Sequence, residues 1–215
     1  MGSSERKERQ RATLQQQILK AAREITIRDG FAALTMRKIA DAIEYAPGTI
    51  YLYFENRDEI AIQLCRQGYQ ELLECLQPTA NIADPRDRLR AIASAYIDFG
   101  LTNTATYRLI FMEDPKFTNA ALSEVPIALV ARFAIDSSDG AGMRSFQLLV
   151  KIFDDMKAER MLSIDANSAR LAEIFWTSLH GICSLKLTFP GFLTTPSEEL
   201  VTTTIDIFLA GLPQA

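Results

Sequence analysis

Apolar residues recur along this chain at steps of three and four, the period of a helix with one buried face. No sustained alternation with a period of two, bounded by hairpin turns, interrupts that pattern. The first stripe is Leu14, Ile18, Ala21 and Ile25, and it predicts a helix from Ala12 to Asp29. Gly30 follows in the position of a C-terminal cap. Thr35 is placed as the N-cap of a second helix whose buried face is Met36, Ile39, Ala40 and Ile43. Pro47 opens a short third helix over Gly48 to Phe54, with Ile50 and Phe54 inward. A long fourth helix is predicted from Arg57 to Leu76, carrying Ile60, Leu64, Leu72, Leu73 and Leu76. Further helices are expected at 85–101, 104–112, 124–135, 142–161, 166–188 and 196–211, with Pro and Gly clustered in the breaks. The fold class expected is all-α, with a three-helix head in 1–57 and a helical second domain in 58–215.

The stretch Thr35 to Arg57, TMRKIADAIEYAPGTIYLYFENR, carries the chemistry. Two short helices are joined by Glu44-Tyr45-Ala46, which is the spacing of a helix-turn-helix whose second helix enters the major groove of DNA. Gly48 lets a backbone approach phosphate or base edges closely. Thr49 offers a hydroxyl and a methyl that can meet a thymine methyl. Tyr51 and Tyr53 offer phenolic donors to phosphate oxygens. They lie two apart on a helix, so both cannot face inward, whereas Phe54 reads as core. Arg37 and Lys38 begin the supporting helix, and Arg57 lies in the first turn of the next one, where a helix start favours phosphate. Thr35, Ala46, Pro47 and Leu52 complete the candidate DNA-contact set.

Charge sharpens this picture only when it is localised. The 215 residues hold 23 Lys and Arg against 27 Asp and Glu, a balance of −4 that by itself argues against nucleic acid. Residues 1–57 hold ten of the basic residues and seven of the acids, so the head is +3 and the remainder −7. Arg6, Lys7, Arg9 and Arg11 precede the predicted first helix; they read either as an arm reaching the minor groove or phosphates, or as a solvated tail.

With these residues in view, the chain resembles the TetR family of bacterial regulators. The likeness rests on Thr35, Arg37, Ile39 and Ala40, then on Pro47 to Phe54 (PGTIYLYF), then on Asn56 to Ile60 (NRDEI), three elements in order. Ala46 departs from the family pattern, where many members carry Ser, and so loses a hydroxyl. The resemblance implies a DNA-binding transcriptional regulator that is a homodimer, with two recognition helices reading a palindromic operator in double-stranded DNA. It further implies a repressor released by a small apolar effector held in the second domain. Trp176, His180 and Gly181 resemble a Trp-His-Gly signature of one group of TetR C-terminal domains.

The closing helices 166–188 and 196–211 carry apolar residues on more than one face, as expected of two helices donated by each chain to a four-helix dimer bundle. The aromatic pattern by itself reads as helical core; for the effector cavity that the resemblance implies, the candidates are Tyr96, Phe99, Tyr107, Phe111, Phe146, Phe153, Trp176 and His180, with Tyr96, Tyr107 and His180 as polar handles in an apolar lining. His180 is the sole histidine, so no metal site is expected. No nucleophile–base pair, Gly-rich phosphate loop or paired-carboxylate signature argues for an enzyme, and no cofactor is expected. Three cysteines without a Cys-x-x-Cys pair fit a reducing cytoplasm, and they are expected to be buried apolar thiols. No apolar run reaches membrane-span length, and the polar N-terminus does not read as a secretory signal. The competing readings are a ligand-independent or activating DNA-binding regulator, and a helical small-molecule-binding protein or enzyme.

Overall fold

A computed structural model describes residues 3–113, 117 and 140–213, and among these all regular structure is helical. The helices are α1 (Ser3–Asp29), α2 (Met36–Ala42), α3 (Pro47–Ile50), α4 (Arg57–Leu76), α5 (Pro85–Thr102), α6 (Thr104–Phe111), α7 (Ala141–Ala158), α8 (Ser168–Thr188) and α9 (Ser197–Ala210). Short 3₁₀ turns lie at Phe31–Ala33 and Gln77–Asn81. The helix expected at 124–135 falls outside the described residues. Contacts gather the chain into two compact units, one of Met1–Gly68 with Ala105–Ala121 and the other of Tyr69–Thr104 with Leu122–Ala215.

In the first unit the predicted stripes do close on one another. Ile18, Ala22 and Ile25 of α1 are buried with Leu34, with Ile39 and Ala40 of α2, and with Ile50 and Phe54. Each of the isoleucine, leucine and phenylalanine side chains among them stabilises the fold by about 1.5–3 kcal/mol relative to exposure. Helix α6 belongs to this unit from Ala105 onward, and its Tyr107 and Ile110 are fully buried. It crosses α4 at short range: a methyl group on Gly68 would meet Ile110 Cγ2 at 2.7 Å and Thr106 Cγ2 at 2.8 Å. Only a residue without a side chain fits that crossing.

Helix ends follow the cap chemistry. Gly30 terminates α1 at φ 83°, ψ 158°, a backbone conformation that side chains disfavour. The Thr35 side chain accepts from the Lys38 N–H at 3.2 Å and so caps α2. Asp84 and Asn167 cap α5 and α8 in the same way. At the other end of α2, the Tyr45 N–H donates to the Ala40 carbonyl at 3.0 Å and the Glu44 N–H to Asp41 at 3.4 Å. This is the paired bonding of a Schellman cap, and Glu44 occupies its left-handed position at φ 59°.

The second unit packs α7 and α8 against α5, with α9 alongside α5 and α8. Phe175 lies centrally, its ring 4.9 Å from Phe208 and 6.4 Å from Phe153. Arg88 ties the entry of α5 to α7: it donates to the Ile82 and Ala83 carbonyls and pairs with Asp155 at 2.5 Å. Burial pushes the Asp155 carboxyl up, but hydrogen bonds from Arg88 and Lys151 outweigh that and hold it below the usual carboxylate range.

Three expectations are corrected. Helix α1 begins at Ser3 rather than Ala12, because Glu, Arg, Lys and Gln favour helix without an apolar stripe to announce it. Accordingly Arg6, Lys7, Arg9 and Arg11 lie on the helix and not in an arm or tail before it. The third helix is α-helical only over Pro47–Ile50; Tyr51 to Tyr53 form a tighter turn in which the Leu52 and Tyr53 N–H groups reach back three residues to Thr49 and Ile50. Finally, Cys65 and Cys183 are buried as expected, but Cys75 is exposed.

The left-handed Glu44 generates a prediction. That conformation costs a side-chain-bearing residue roughly 1–2 kcal/mol, against about 0.5–1 kcal/mol of extra chain entropy lost by glycine. Glu44→Gly is therefore expected to stabilise the fold by about 0.5–1 kcal/mol in urea unfolding. An unchanged or lowered midpoint would contradict the cap assignment.

Candidate nucleic-acid interface

The turn from α2 into α3 presents its side chains according to which ones the core has taken. Ile50 and Phe54 are fully buried, so the residues between them turn outward: Tyr51 is 55% and Leu52 74% exposed. Tyr45, in the turn, is 45% exposed, and Ala46, Pro47 and Gly48 are exposed beside it. Thr49 and Tyr53 are half-buried. Tyr45 was not singled out from the sequence; its place in the turn Glu44-Tyr45-Ala46, directly before the candidate Ala46, is the signal that would have found it.

Gly48 is informative because the fold does not require it. Its φ is ordinary, and nothing lies within 4 Å of where a Cβ would stand. A glycine that internal packing leaves optional, on an exposed helix start, fits a surface that something else approaches closely.

The predicted cations have closer commitments. Arg37 is 86% exposed with its guanidinium 4.0 Å from Asp41, and Lys38 is 3.9 Å from Asp29. A hydrogen bond from Arg28 holds the Asp29 carboxyl below its ordinary range, so that acid is charged opposite Lys38. Arg57 lies over the Phe31 ring at 4.9 Å and 3.8 Å from Asp58. The start of α4 is also self-satisfied. Asn56 accepts from the Glu59 N–H at 3.0 Å, and the Glu59 carboxylate accepts from the Glu55 N–H at 2.7 Å. Carboxylates thus stand where the sequence placed a phosphate. Thr35 likewise spends its hydroxyl on the α2 cap.

In the second unit, three of the candidate ligand residues come together. The Trp176 indole N–H donates to the Tyr96 hydroxyl at 3.2 Å, and that oxygen lies 3.2 Å from His180 Nδ1. With Tyr96 accepting from Trp176, its proton is available to Nδ1 of a neutral ring. Burial lowers the His180 pKa and favours that neutral form. Tyr96, Phe99 and Phe153 are buried, and Phe146, Trp176 and His180 half-buried. Tyr107 and Phe111 belong to the first unit, their rings 4.9 Å apart, so the candidate set is divided between the units. Among the described residues no group of His, Cys, Asp and Glu could hold a metal ion, and no helix is long and apolar enough to cross a membrane.

Comparison with known proteins agrees with this geometry. Residues 18–64 match the family described as bacterial regulatory proteins, tetR family, and residues 89–208 match the tetracyclin-repressor-like C-terminal domain. The chain is 29% identical over 116 residues to the HTH-type transcriptional activator FasR of Mycolicibacterium smegmatis, covering 54% of this chain and 53% of that protein. It is 36% identical over 61 residues to a fatty acid metabolism regulator protein of Bacillus subtilis, covering 28% and 31%. The aligned stretches thus span about half of the first relative and about a third of the second. The solved structure of the fatty acid degradation regulator FadR from Bacillus halodurans shares the fold, with a TM-score of 0.68 at 16% identity, covering 94% of this chain and 97% of that one.

Gly48→Ala separates folding from recognition. Alanine is the better helix former by roughly 0.5–1 kcal/mol, and the site has room for it, so the melting temperature is expected to hold or rise. Binding to a duplex recovered by selection from a random pool should fall about tenfold or more, within the range of one lost base contact. A variant that binds as tightly as the parent would remove Gly48 from the interface.

Proposed function

Because the chain belongs to the tetR family of bacterial regulatory proteins and is a DNA-binding transcriptional regulator, we propose that it acts as a repressor, released from a palindromic operator by a small apolar effector. The observation that carries the reading is the outward surface of Tyr45, Pro47, Gly48, Tyr51 and Leu52, held by a helix whose inner side chains are closed into the core. It acts in the cytoplasm by binding, not by catalysis. Its DNA-contact set is Thr35, Arg37, Lys38, Ala46 to Thr49, Tyr51 to Tyr53 and Arg57, with Tyr45 added.

We place the dimer face on α8 and α9. Ile174 and Leu185 on α8, and Ile207 on α9, are exposed apolar side chains, and Gly181 has nothing within 4 Å of a would-be Cβ. A stripe of that kind is supported as the meeting face of a second copy, in a bundle with two helices from each chain. Two heads on a twofold axis would read half-sites about 34 Å apart.

The effector site is placed in the second unit, around Tyr96, Trp176 and His180 with the surrounding phenylalanines. Acyl-chain compounds are the first class to try, since two of the similar proteins carry names from fatty acid metabolism. Coupling of about 1–3 kcal/mol between effector and DNA would weaken binding several-fold to about a hundredfold. The relative named an activator makes activation the second reading.

The test is selection of duplexes from a random pool at fixed salt, followed by titration with long-chain acyl compounds. A palindromic sequence is expected to be enriched, lost with Tyr51→Ala, and bound at least tenfold more weakly when a saturating acyl compound is present. Ile207→Glu is expected to sediment as a monomer and to lose operator binding. Enrichment of no sequence would overturn the regulator reading; an operator that ignores every acyl compound would overturn the effector class. A reporter placed behind the operator separates repression from activation.

A further inference from the structure

We propose that the N-terminal half of α1 is a phosphate-binding ridge, in which Lys7 and Arg11 grip the DNA backbone beside the recognition surface. The proposal rests on the DNA-binding reading above and assigns the electrostatic share of that binding to residues outside the helix-turn-helix.

Three observations carry it. The first is continuity of a face. Arg11 stands three and Lys7 seven residues before Leu14, so both lie on the line of Leu14, Ile18, Ala21 and Ile25 that packs into the first unit. Beyond the edge of the core, the same face of the same helix changes from apolar to cationic. The second is position. The Arg11 guanidinium lies 6.0 Å from the centre of the Tyr53 ring, which puts Arg11 beside the turn that presents Tyr51 and Leu52.

The third observation is where uncompensated charge remains. Arg37, Lys38 and Arg57 each have a carboxylate within 4.0 Å. Arg6, Lys7, Arg9 and Arg11 are exposed and enter no ion pair among the described residues; Glu8, three residues before Arg11, does not pair with it. Affinity for a duplex comes from cations that displace the condensed counterions of the phosphates, and a cation already beside a carboxylate displaces fewer. Among these cations, the ones with no carboxylate beside them are therefore on α1, with Arg11 against Tyr53 and Lys7 one turn further out. Their helical backbone fixes Lys7 and Arg11 one turn apart, so they approach the duplex as a rigid pair.

The experiment measures the binding constant of the full chain against salt concentration on two probes of equal length, the enriched duplex and a scrambled one. Lys7→Gln with Arg11→Gln is compared with Arg86→Gln with Arg170→Gln, which removes the same charge from exposed positions in the second unit. The α1 pair is expected to reduce the slope of log K against log salt by about two on both probes. The corresponding loss at 0.15 M salt is roughly thirtyfold. The ratio of enriched to scrambled binding should stay as in the parent, and Lys7→Arg with Arg11→Lys should keep the slope. An unchanged slope, or an equal reduction in the second-unit control, would overturn the ridge. Should no duplex be enriched at all, the sequence-specific regulator reading falls, while the scrambled probe still decides whether α1 holds phosphate.

Discussion

Ile50 and Phe54 sit four residues apart with their side chains shut into the first unit, and the outward surface between them, proposed above to meet DNA, depends on that pair. With both ends of the segment anchored inward, Tyr51 and Leu52 have no course but outward. The Schellman cap at Glu44 and the proline at the start of α3 fix how the chain arrives there. A lone exposed leucine is ordinary on a protein surface. Tyr45, Tyr51 and Leu52 together, beside a glycine that packing does not require, form the exposed surface on which the DNA-contact proposal rests.

The helices and their caps were legible in the sequence because each leaves a local mark. Leu14, Ile18, Ala21 and Ile25 mark the packed part of α1, and Gly30, Thr35 and Pro47 mark ends by their own backbone chemistry. The first turns of α1 leave no such mark: Ser3 to Arg11 are polar, and a solvated helix has no apolar period to read. The brevity of α3 was hidden for a related reason, since a tight turn that reaches back three residues places side chains much as a helix does.

Site residues were less legible than elements. Residue type named Arg37, Lys38 and Arg57 as phosphate cations, but only distance reveals their carboxylate neighbours and the ring beneath Arg57. In the second unit, spacing along α8 brought Trp176 and His180 together, one turn apart. That Tyr96 on α5 completes the group is a fact of packing between helices, which no local pattern encodes. Tyr107 and Phe111 went to the other unit for the same reason.

The Trp176–Tyr96 hydrogen bond has a practical side. Trp176 is the one indole in the whole chain, so tryptophan emission from this protein has a single origin. That origin is a half-buried ring bonded to a phenol and 5.6 Å from an imidazole, a group that quenches indole when protonated. The protein thus carries a built-in optical label in its second unit. Emission that shifts on adding a small molecule reports from α8, and a duplex that shifts it has been felt far along the chain from the residues it touches.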